Sequence, residues 1–421
     1  MHMNGHSEGE PRVVVTGMGV IAANGETLDQ FWKSIHEGES AGCPMTRFKA
    51  GSAPTLVAAQ IQDFKAGRYM DPKSARRLDL SHCYGLAAAT LAGMDAKLDF
   101  SDIDADRVGV VEGTSASSNE MAVKADQGYA QRGYRGVGPF ALINGYSGAG
   151  SGEIAEQLGI KGHSITISSS SASGNDAIGY AMGMIKSGEV DVMLAGGAEA
   201  PIMPGIWGAL CLNRILTRRN DDPKHAMRPY DKSRDGILLG EGAAYLMLEE
   251  LSYARARGAR IYCELLGHGR SCEAYHPVAP HPEGIGMRRA IQKGLRNAGV
   301  DISEVDYINA HGTATEANDL VETKAIKAIF GKEAHRIAVS STKPVTGHVM
   351  GAAGAIESVV CALAIYHKEI PFTLNHSDPA DECDLDYVKG APRPYPIRAA
   401  LNLNSGFGGK NSCLVLRKYE G

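Results

Sequence analysis

The order of strands and helices along this chain repeats once, and that repetition constrains its fold more than any other feature. An apolar strand ending in glycine opens each half, V-V-V-T-G at Val13 and I-Y-C-E-L-L-G at Ile261. Each half continues with a strand leading to a Gly-Thr or His-Gly-Thr turn, a strand and Ser-rich break before a long small-residue helix, and a final strand pair. Strands alternating with helices are typical of α/β layers with largely parallel sheets. The chain is therefore predicted to be an α/β protein with a duplicated core.

The boundary between the two halves is predicted at a charged helix. We place the boundary in residues 249–260, which read E-E-L-S-Y-A-R-A-R-G-A-R. It divides the chain into an N-terminal half, residues 11–257, and a C-terminal half, residues 258–421. The first ten residues are polar and irregular and are predicted to form a disordered tail. The first half contains long insertions at roughly 30–105 and 115–160. We expect them to form the entrance to the site and the layer beside a dimer interface.

Charge, hydropathy and cysteine spacing exclude several classes of protein. A net charge of −5 is not that of a generally basic nucleic-acid binder. The best membrane-span candidate, residues 352–366, is short and interrupted by Glu357, so no membrane segment is expected. The eight cysteines are scattered without a C-x-x-C pair, which predicts reduced thiols, a cytoplasmic location and no metal site.

A serine stands at residue 171, where an apolar strand gives way to a helix. The stretch I-T-I-S-S-S-S-A-S-G-N-D-A-I-G, residues 165–179, predicts a strand, a Ser-rich break and a helix that opens at Ser171 or Ala172. Free N–H groups and the macrodipole at a helix start favour an anion. They lower the pKa of a thiol and make it nucleophilic, but they do much less for an alcohol. Taken alone, Ser171 is better explained as the N-cap of the helix.

Two histidine motifs in the second half favour a catalytic position for Ser171 over a simple N-cap. N-A-H-G-T-A-T, residues 309–315, follows the short strand V-D-Y-I, and S-S-T-K-P-V-T-G-H, residues 340–348, follows the strand I-A-V. His311 and His348 each stand just beyond a strand end, beside Gly and Thr residues that permit close backbone approach. Together with Lys343 and the junction at Ser171, they predict a catalytic constellation.

These motifs, taken in order, resemble those of the type II, elongating β-ketoacyl-acyl carrier protein synthases of the thiolase superfamily. The likeness extends over nearly the whole chain, from R-V-V-V-T-G-M-G-V-I at Arg12 to G-F-G-G-K-N at Gly406. It includes D-V-M-L-A-G-G-A-E at Asp191, R-P-Y-D-K-S-R-D-G-I-L-L-G-E-G at Arg228 and A-Y-H at Ala274. The resemblance implies the thiolase fold, a pseudo-duplicated five-layered α-β-α-β-α core.

The resemblance also implies a decarboxylative Claisen condensation of an acyl thioester with malonyl carrier protein, in fatty acid or polyketide (polyene) synthesis. Ser171 is at the position of the family's cysteine nucleophile. His311 and His348 would be the catalytic pair that donates hydrogen bonds to the thioester carbonyl, where enolate charge develops. Lys343 would hold the charge state of His348. Glu357 matches the supporting carboxylate, and a charge buried in an apolar helix needs a partner such as Lys343.

Substrate contacts follow from the same resemblance, with departures from the family pattern. Thr313 and Thr315 would contact the pantetheine arm. Val278 stands where the family commonly has a threonine, which removes one hydroxyl near that arm. Lys410 likewise replaces a usual threonine.

The glycine-rich closing motif carries the largest departure. The family usually has a phenylalanine gate immediately before G-F-G-G, and this chain has Ser405 there. The backbone N–H at Ser405 would still complete the oxyanion hole together with that of Ser171. The acyl pocket is then expected to be more open, or gated by Phe407. These departures suggest a specialised relative that handles unusual acyl chains.

The partner implied by the resemblance is an acyl carrier protein, which would supply the phosphopantetheine arm, and no bound prosthetic group is expected. Carrier proteins are strongly acidic, so an acidic enzyme needs a local basic patch. Lys73, Arg76 and Arg77 stand at i, i+3 and i+4 on one helical face. They match the family's docking helix, and Arg135 and Arg214 match two further docking positions. A homodimer is expected, with a heterodimer with a related subunit as the alternative.

Three explanations account for the serine at residue 171. The first is a Cys-to-Ser substitution engineered to trap or inactivate the enzyme, since every other catalytic element is intact. The second is a native serine-dependent acyltransferase, with His348 or His311 as the base. The third is a non-condensing partner subunit resembling the chain-length factors of polyketide synthases, although those usually lack both histidines.

Overall fold

The computed structural model describes residues 11–116 and 119–421, and the predicted N-terminal tail lies outside the described residues. The strands are β1 (Val13–Ala22), β2 (Cys43–Pro44), β3 (Val57–Ala58), β4 (Val108–Gly113), β5 (Ser164–Ile167), β6 (Val192–Glu199), β7 (Gly242–Glu250), β8 (Cys263–Cys272), β9 (Val305–Asn309), β10 (Ala338–Ser340), β11 (Glu369–Ile370), β12 (Arg393–Pro394), β13 (Ala399–Gly406) and β14 (Lys410–Arg417).

The helices are α1 (Leu28–Glu37), α2 (Pro72–Arg77), α3 (Leu80–Ala96), α4 (Asn119–Arg132), α5 (Ala141–Asn144), α6 (Ala149–Leu158), α7 (Ser173–Lys186), α8 (Pro204–Leu212), α9 (Leu251–Ala256), α10 (Ile285–Ala298), α11 (Glu316–Phe330), α12 (Lys343–Thr346) and α13 (Ala353–His367). Short 3-10 turns span Ala66–Arg68, Ala105–Arg107, Gly133–Gly136, Pro223–His225, Ile302–Glu304, Gly331–His335 and Met350–Ala352.

The main sheet is built from two copies of one five-strand arrangement. Its order is β10-β9-β13-β14-β8-β1-β7-β6-β4-β5. Read outward from the centre, β1-β7-β6-β4-β5 in the first half corresponds to β8-β14-β13-β9-β10 in the second. The directions also correspond, since the two inner pairings of each set are antiparallel and the two outer pairings are parallel. Among the described residues, the two sets of strands pair with each other only where Val13–Val15 of β1 lie beside β8. The predicted duplication is confirmed.

Helices cover both sets of strands and lie between them. α7 and α13 contact each other and the strands of both halves, and their buried side chains belong to one central core. α3 and α6 pack on the outer face of the first set, and α10 and α11 on the outer face of the second. The layers therefore run helix, sheet, helix, sheet, helix, which is the predicted five-layered thiolase arrangement.

The position of each helix in these layers follows from its sequence. α10 buries one stripe of residues, including Ala290, Ile291 and Leu295, and exposes its charged side, as expected of an outer helix. α13 is apolar or small all round and is buried from Ala353 to Ile365, because strands cover it on both sides. Residues 350–367 are long and apolar enough to cross a membrane by composition, but 89% of that window is buried inside the protein, so it is a core helix.

The described cysteines and acidic residues add two findings. All eight cysteines are free thiols, and only Cys272 is exposed. Among the residues that the structure describes, no cluster of three or more His, Cys, Asp or Glu side chains is arranged to hold a metal ion.

A buried carboxyl group in β4 makes the stability of the fold depend on pH. Glu112 lies among Gly150, Tyr245 and the core packed on α3 and α6, where burial, and then the charge of Glu199, raise its pKa from 4.5 to about 8. The folded protein therefore keeps a proton that the unfolded chain releases between these two pH values. Since the unfolded state binds fewer protons there, stability falls as the pH rises from about 5 to 8.

Replacing Glu112 with glutamine should remove that dependence. We expect the melting temperature of Glu112→Gln, relative to that of the parent protein, to increase steadily between pH 5 and pH 8.5 in calorimetric scans. Glu120→Gln, which alters a surface pair with Lys124, is the control and should give a difference that does not vary with pH. A constant difference for Glu112→Gln as well would contradict the assigned protonation.

Candidate active site

Ser171 lies on a sharp turn between β5 and α7. Ser170 has a φ of +59°, in the left-handed region that residues with a side chain seldom occupy. The hydroxyl of Ser173 holds the turn, because it accepts from the N–H of Ser169 at 2.8 Å and lies 2.6 Å from the carbonyl oxygen of Ser170. α7 begins at Ser173, two residues after the earlier of the predicted starts, and its N-cap residue is Ala172, which makes no side-chain cap. The N-cap explanation of Ser171 is therefore wrong, and its side chain is turned to the catalytic side.

His311 follows β9 at the carboxyl end of the strand. Its backbone N–H donates to Glu322 Oε1 at 2.7 Å, and that of Gly312 donates to Glu322 Oε2 at 2.8 Å. Gly312 has a φ of +39°, and a Cβ there would lie 2.5 Å from the Cβ of Ser341. The His-Gly pair is thus fixed by a buried carboxylate below it and by a backbone approach that only glycine permits.

His348 lies in the loop after α12, and its ring lies beside that of His311. Its backbone N–H donates to the carbonyl of Leu238 at 2.7 Å. The ring centroids of His311 and His348 are 5.4 Å apart, with their planes at 88°. The Nε2 atom of His348 lies 3.3 Å from the Oγ of Ser171. The three residues predicted to act together are therefore brought together, and all three are buried.

The other nitrogen of His348 identifies its tautomer. Nδ1 accepts a hydrogen bond from the backbone N–H of Met350 at 3.2 Å, so it carries no proton. Burial, and then the charge of Lys343, hold the pKa of His348 well below its ordinary value. A neutral ring with an unprotonated Nδ1 carries its hydrogen on Nε2. His348 therefore directs an N–H donor at Ser171.

Lys343 and Glu357 form a buried pair behind the histidines. Nζ of Lys343 lies 2.5 Å from Oε1 of Glu357, and Asn404 donates to Oε2 at 2.9 Å. Lys343 is fully buried and Glu357 is 2% exposed. Burial, followed by the charge of Lys343, also lowers the pKa of His311 well below its ordinary value. Both rings are thus neutral at neutral pH.

A cavity of about 340 Å³ opens onto Ser171, His311 and His348. The predicted substrate residues Thr313, Thr315, Val278, Ser405 and Phe407 all line it. The hydroxyls of Thr313 and Thr315 are hydrogen bonded to each other at 2.8 Å.

Several residues of this cavity were not predicted from the sequence. Glu273, Asn411 and Gly406 line it. Asn411 donates to Glu273 Oε1 at 3.3 Å, and Ser405 donates to Asn411 Oδ1 at 2.6 Å. The A-Y-H motif and the glycine-rich motif, whose first residues are 274 and 406, were the only available signals for them. A wider surface groove of about 900 Å³, between α1 and the ends of α3 and α13, contains none of the predicted site residues.

The five predicted docking cations lie in different settings. Arg214 lines the cavity, and Lys73 and Arg76 are exposed on α2. Arg77 faces Glu153 at 3.7 Å and Glu156 at 3.8 Å, so its charge is partly compensated within the protein. Arg135 is exposed and stacks on the ring of Tyr134 at 5.7 Å. Of the five, Arg214 is the residue that this geometry connects directly to Ser171.

Comparison with known proteins agrees with this geometry. The family description "Beta-ketoacyl synthase, N-terminal domain" matches residues 10–254, and "Beta-ketoacyl synthase, C-terminal domain" matches residues 262–377. The chain belongs to the β-ketoacyl synthase family. Both the predicted family and the predicted class, a condensing enzyme among the acyltransferases, are confirmed.

Individual relatives match over nearly their full length. The 3-oxoacyl-[acyl-carrier-protein] synthase 2 of Synechocystis sp. is 41% identical over 409 residues, which cover 97% of this chain and 98% of the relative. A structure of the ishigamide ketosynthase/chain length factor superposes with a TM-score of 0.91 at 36% identity, covering 98% of this chain and 100% of that one. A type II polyketide synthase acyl-carrier protein in complex with its ketosynthase, bound to the hexaketide, gives a TM-score of 0.89 at 34% identity, covering 97% and 100%.

Breaking the buried pair should destabilise the protein. Glu357→Gln leaves the Lys343 ammonium buried without a counter-charge, a change that costs about 3 kcal/mol or more in comparable sites. We expect a matching loss in the free energy of unfolding from denaturant titration.

The double variant Lys343→Met/Glu357→Gln is the matched control, since it leaves no unpaired charge. It should recover much of the lost stability. Equal stability of Glu357→Gln and the parent protein would contradict the buried ion pair.

Proposed function

We propose that this site carries out a decarboxylative condensation of an acyl group with a malonyl thioester, in fatty acid or polyketide synthesis. The observation that supports it best is the pair of buried neutral histidines beside residue 171 at the start of α7. Donors fixed in a dry site stabilise negative charge that develops on a carbonyl oxygen, and they need no reorganisation during the reaction.

In the proposed reaction, the thioester oxygen of the malonyl group accepts hydrogen bonds from His311 and His348. The bond between the carboxylate and the α-carbon breaks, carbon dioxide leaves, and the electron pair moves to the enolate. Its α-carbon then attacks the acyl group held on the nucleophile at residue 171. A carbon–carbon bond forms and the nucleophile departs with the electron pair of the broken acyl bond. Lys343 supports the step by keeping both rings neutral, and Glu357 supplies the counter-charge that lets Lys343 be buried.

The tautomer of His348 bears on the three explanations for Ser171. A ring that presents N–H to the hydroxyl cannot also remove its proton. A native serine-dependent acyltransferase therefore could not use His348 as its base, and only His311 would be left for that role. We propose that the serine replaces a cysteine nucleophile and leaves the rest of the site ready for catalysis. The partner-subunit explanation remains a second candidate because of the likeness to the ketosynthase/chain length factor structure.

Restoring the thiol is the direct test of that proposal. Ser171→Cys should become acylated by acyl carrier protein substrates, as measured by intact mass, and should form carbon–carbon bonds with malonyl carrier protein. The chain with Ser171 should be inert or at least about a thousandfold slower, since an alcohol at this position lacks an anionic form. Efficient condensation by the serine form, with no gain from cysteine, would favour a native serine enzyme.

The proposed partner is an acyl carrier protein whose phosphopantetheine arm enters the cavity past Thr313, Thr315, Val278 and Phe407. The likeness to a ketosynthase in complex with its carrier protein supports this partner. Arg214 at the cavity and the exposed cations of α2 would meet its acidic surface. No prosthetic group is needed, and a reducing cytoplasm suits the eight free thiols.

Charge reversal on α2 tests the docking surface. Arg76→Glu should weaken carrier-protein binding, most visibly at low ionic strength, because exposed charges chiefly set on-rate and salt screens them. In the Ser171→Cys background, turnover of a small thioester should change little. Arg255→Glu, an exposed residue of α9, is the control. Equal losses with both substrates, or a salt-independent affinity, would count against the proposed surface.

We also propose that the chain forms a dimer through the edge of its sheet. β5 is the edge strand of the first set, and Ile165 and Ile167 are only half-buried. The neighbouring insertion exposes large apolar side chains, namely Tyr129, Tyr134, Leu142 and Tyr146. An open edge beside an apolar patch marks an interface. A homodimer of two-part protomers, residues 11–257 and 258–421, is the proposed assembly, with a related subunit as the alternative partner.

A further inference from the structure

The hydroxyl of Ser170 is hydrogen bonded across the site to the glycine-rich turn between β13 and β14. Its Oγ accepts from the backbone N–H of Phe407 at 3.1 Å. This bond joins the residue before Ser171 to Phe407, which lines the cavity. The serine at 170 has no role in the reaction described above, so its function is unassigned.

The turn lies directly against the segment that carries Ser171. A Cβ on Gly406 would come within 2.8 Å of the carbonyl oxygen of Ser169 and 3.0 Å of the nitrogen of Ser171. The two backbones are therefore already at closest approach, and a small movement of the turn changes the space beside Ser171. Lys410, at the far end of the turn, places Nζ 3.5 Å from the carbonyl of Ser168.

The opposite side of the turn is held by backbone bonds. The N–H of Gly408 donates to the carbonyl of Pro277 at 2.8 Å, and the N–H of Glu273 donates to the carbonyl of Gly409 at 2.9 Å. On the side of Ser171, the bond to Ser170 is the one short hydrogen bond to the turn among the described residues. Phe407 is 37% exposed, so packing alone does not fix its ring.

We propose that Ser170 is a positioning residue, which holds the Phe407 amide and thereby sets how large an acyl chain fits beside residue 171. The proposal rests on the proposed function for its consequence, but the contact itself can be tested without any activity. Loss of the hydroxyl releases the Phe407 amide, lets the turn move away from Ser171 and admits longer chains.

The backbone at residue 170 permits a clean pair of variants. Ser170→Ala and Ser170→Gly both remove the hydroxyl, but only alanine keeps the strain of a φ near +59°. Ser169→Ala removes a hydroxyl from the same break, and no hydrogen bond from that hydroxyl to the turn is present among the described residues. Equal effects of alanine and glycine at residue 170, with no effect of Ser169→Ala, identify the hydroxyl as the cause.

The first measurement is amide hydrogen exchange of the peptide covering residues 405–411, on the full chain with Ser171 in place. Both Ser170 variants should exchange at Phe407 at least fivefold faster than the parent, while Ser169→Ala should match the parent. Unchanged exchange in both Ser170 variants overturns the proposal. Faster exchange in Ser170→Ala alone assigns the effect to backbone strain and overturns it as well.

The second measurement uses the Ser171→Cys background and the rates of self-acylation from acetyl and dodecanoyl carrier proteins. Ser170→Gly should raise the dodecanoyl-to-acetyl ratio at least threefold, and carbon dioxide release from malonyl carrier protein should stay constant. An unchanged ratio despite faster exchange would refute the effect on chain size. Absence of any acylation by Ser171→Cys would refute the proposed function instead, and the exchange result would still decide the contact.

Discussion

The buried pair of Lys343 and Glu357 is the interaction on which the rest of the site depends. Lys343 is fully buried on one side of two histidines, and its charge opposes protonation of both. Such a cation is tolerated only with a counter-charge at hydrogen-bond distance, which Glu357 supplies from the middle of α13. α13 in turn is held between two sets of strands. The duplicated fold therefore supplies the buried surroundings in which both histidines stay neutral, as the proposed reaction requires.

The hydrogen bonds of His348 decide whether its ring donates a hydrogen bond to an oxyanion or removes a proton from an alcohol. The N–H of Met350 occupies Nδ1 of His348, and the hydrogen on Nε2 faces residue 171. This ring can stabilise an oxyanion, but it cannot activate an alcohol. A thiol needs no such base, because the helix start already favours its anion. We therefore propose that a site of this design depends on cysteine for acylation, and that it keeps the hydrogen-bond donor of His348 when serine is present.

Much of this could be predicted from the sequence, because its signals are local. The Ser-rich break, the His311 motif and the motif with Lys343 and His348 each consist of consecutive residues. The strand order repeats from one half of the chain to the other and can also be read directly from the sequence. The start of α7 was predicted one or two residues early, because the hydroxyl of Ser173 folds back on the break and delays the helix. The contact between Gly406 and Ser171, the place of Glu273, and the pairing of Arg77 with Glu153 join distant segments. Only the tertiary packing determines these contacts, as it does the tautomer of His348.

The charge and tautomer of His348 can be measured directly by nitrogen-15 NMR of histidine-labelled protein, with His348→Gln used to assign the signal. The account predicts a neutral ring at pH 7 with its proton on Nε2. The ring should stay neutral as the pH falls through the usual histidine range near about 6.5. An imidazolium at pH 7, or a neutral ring protonated on Nδ1, would contradict the account.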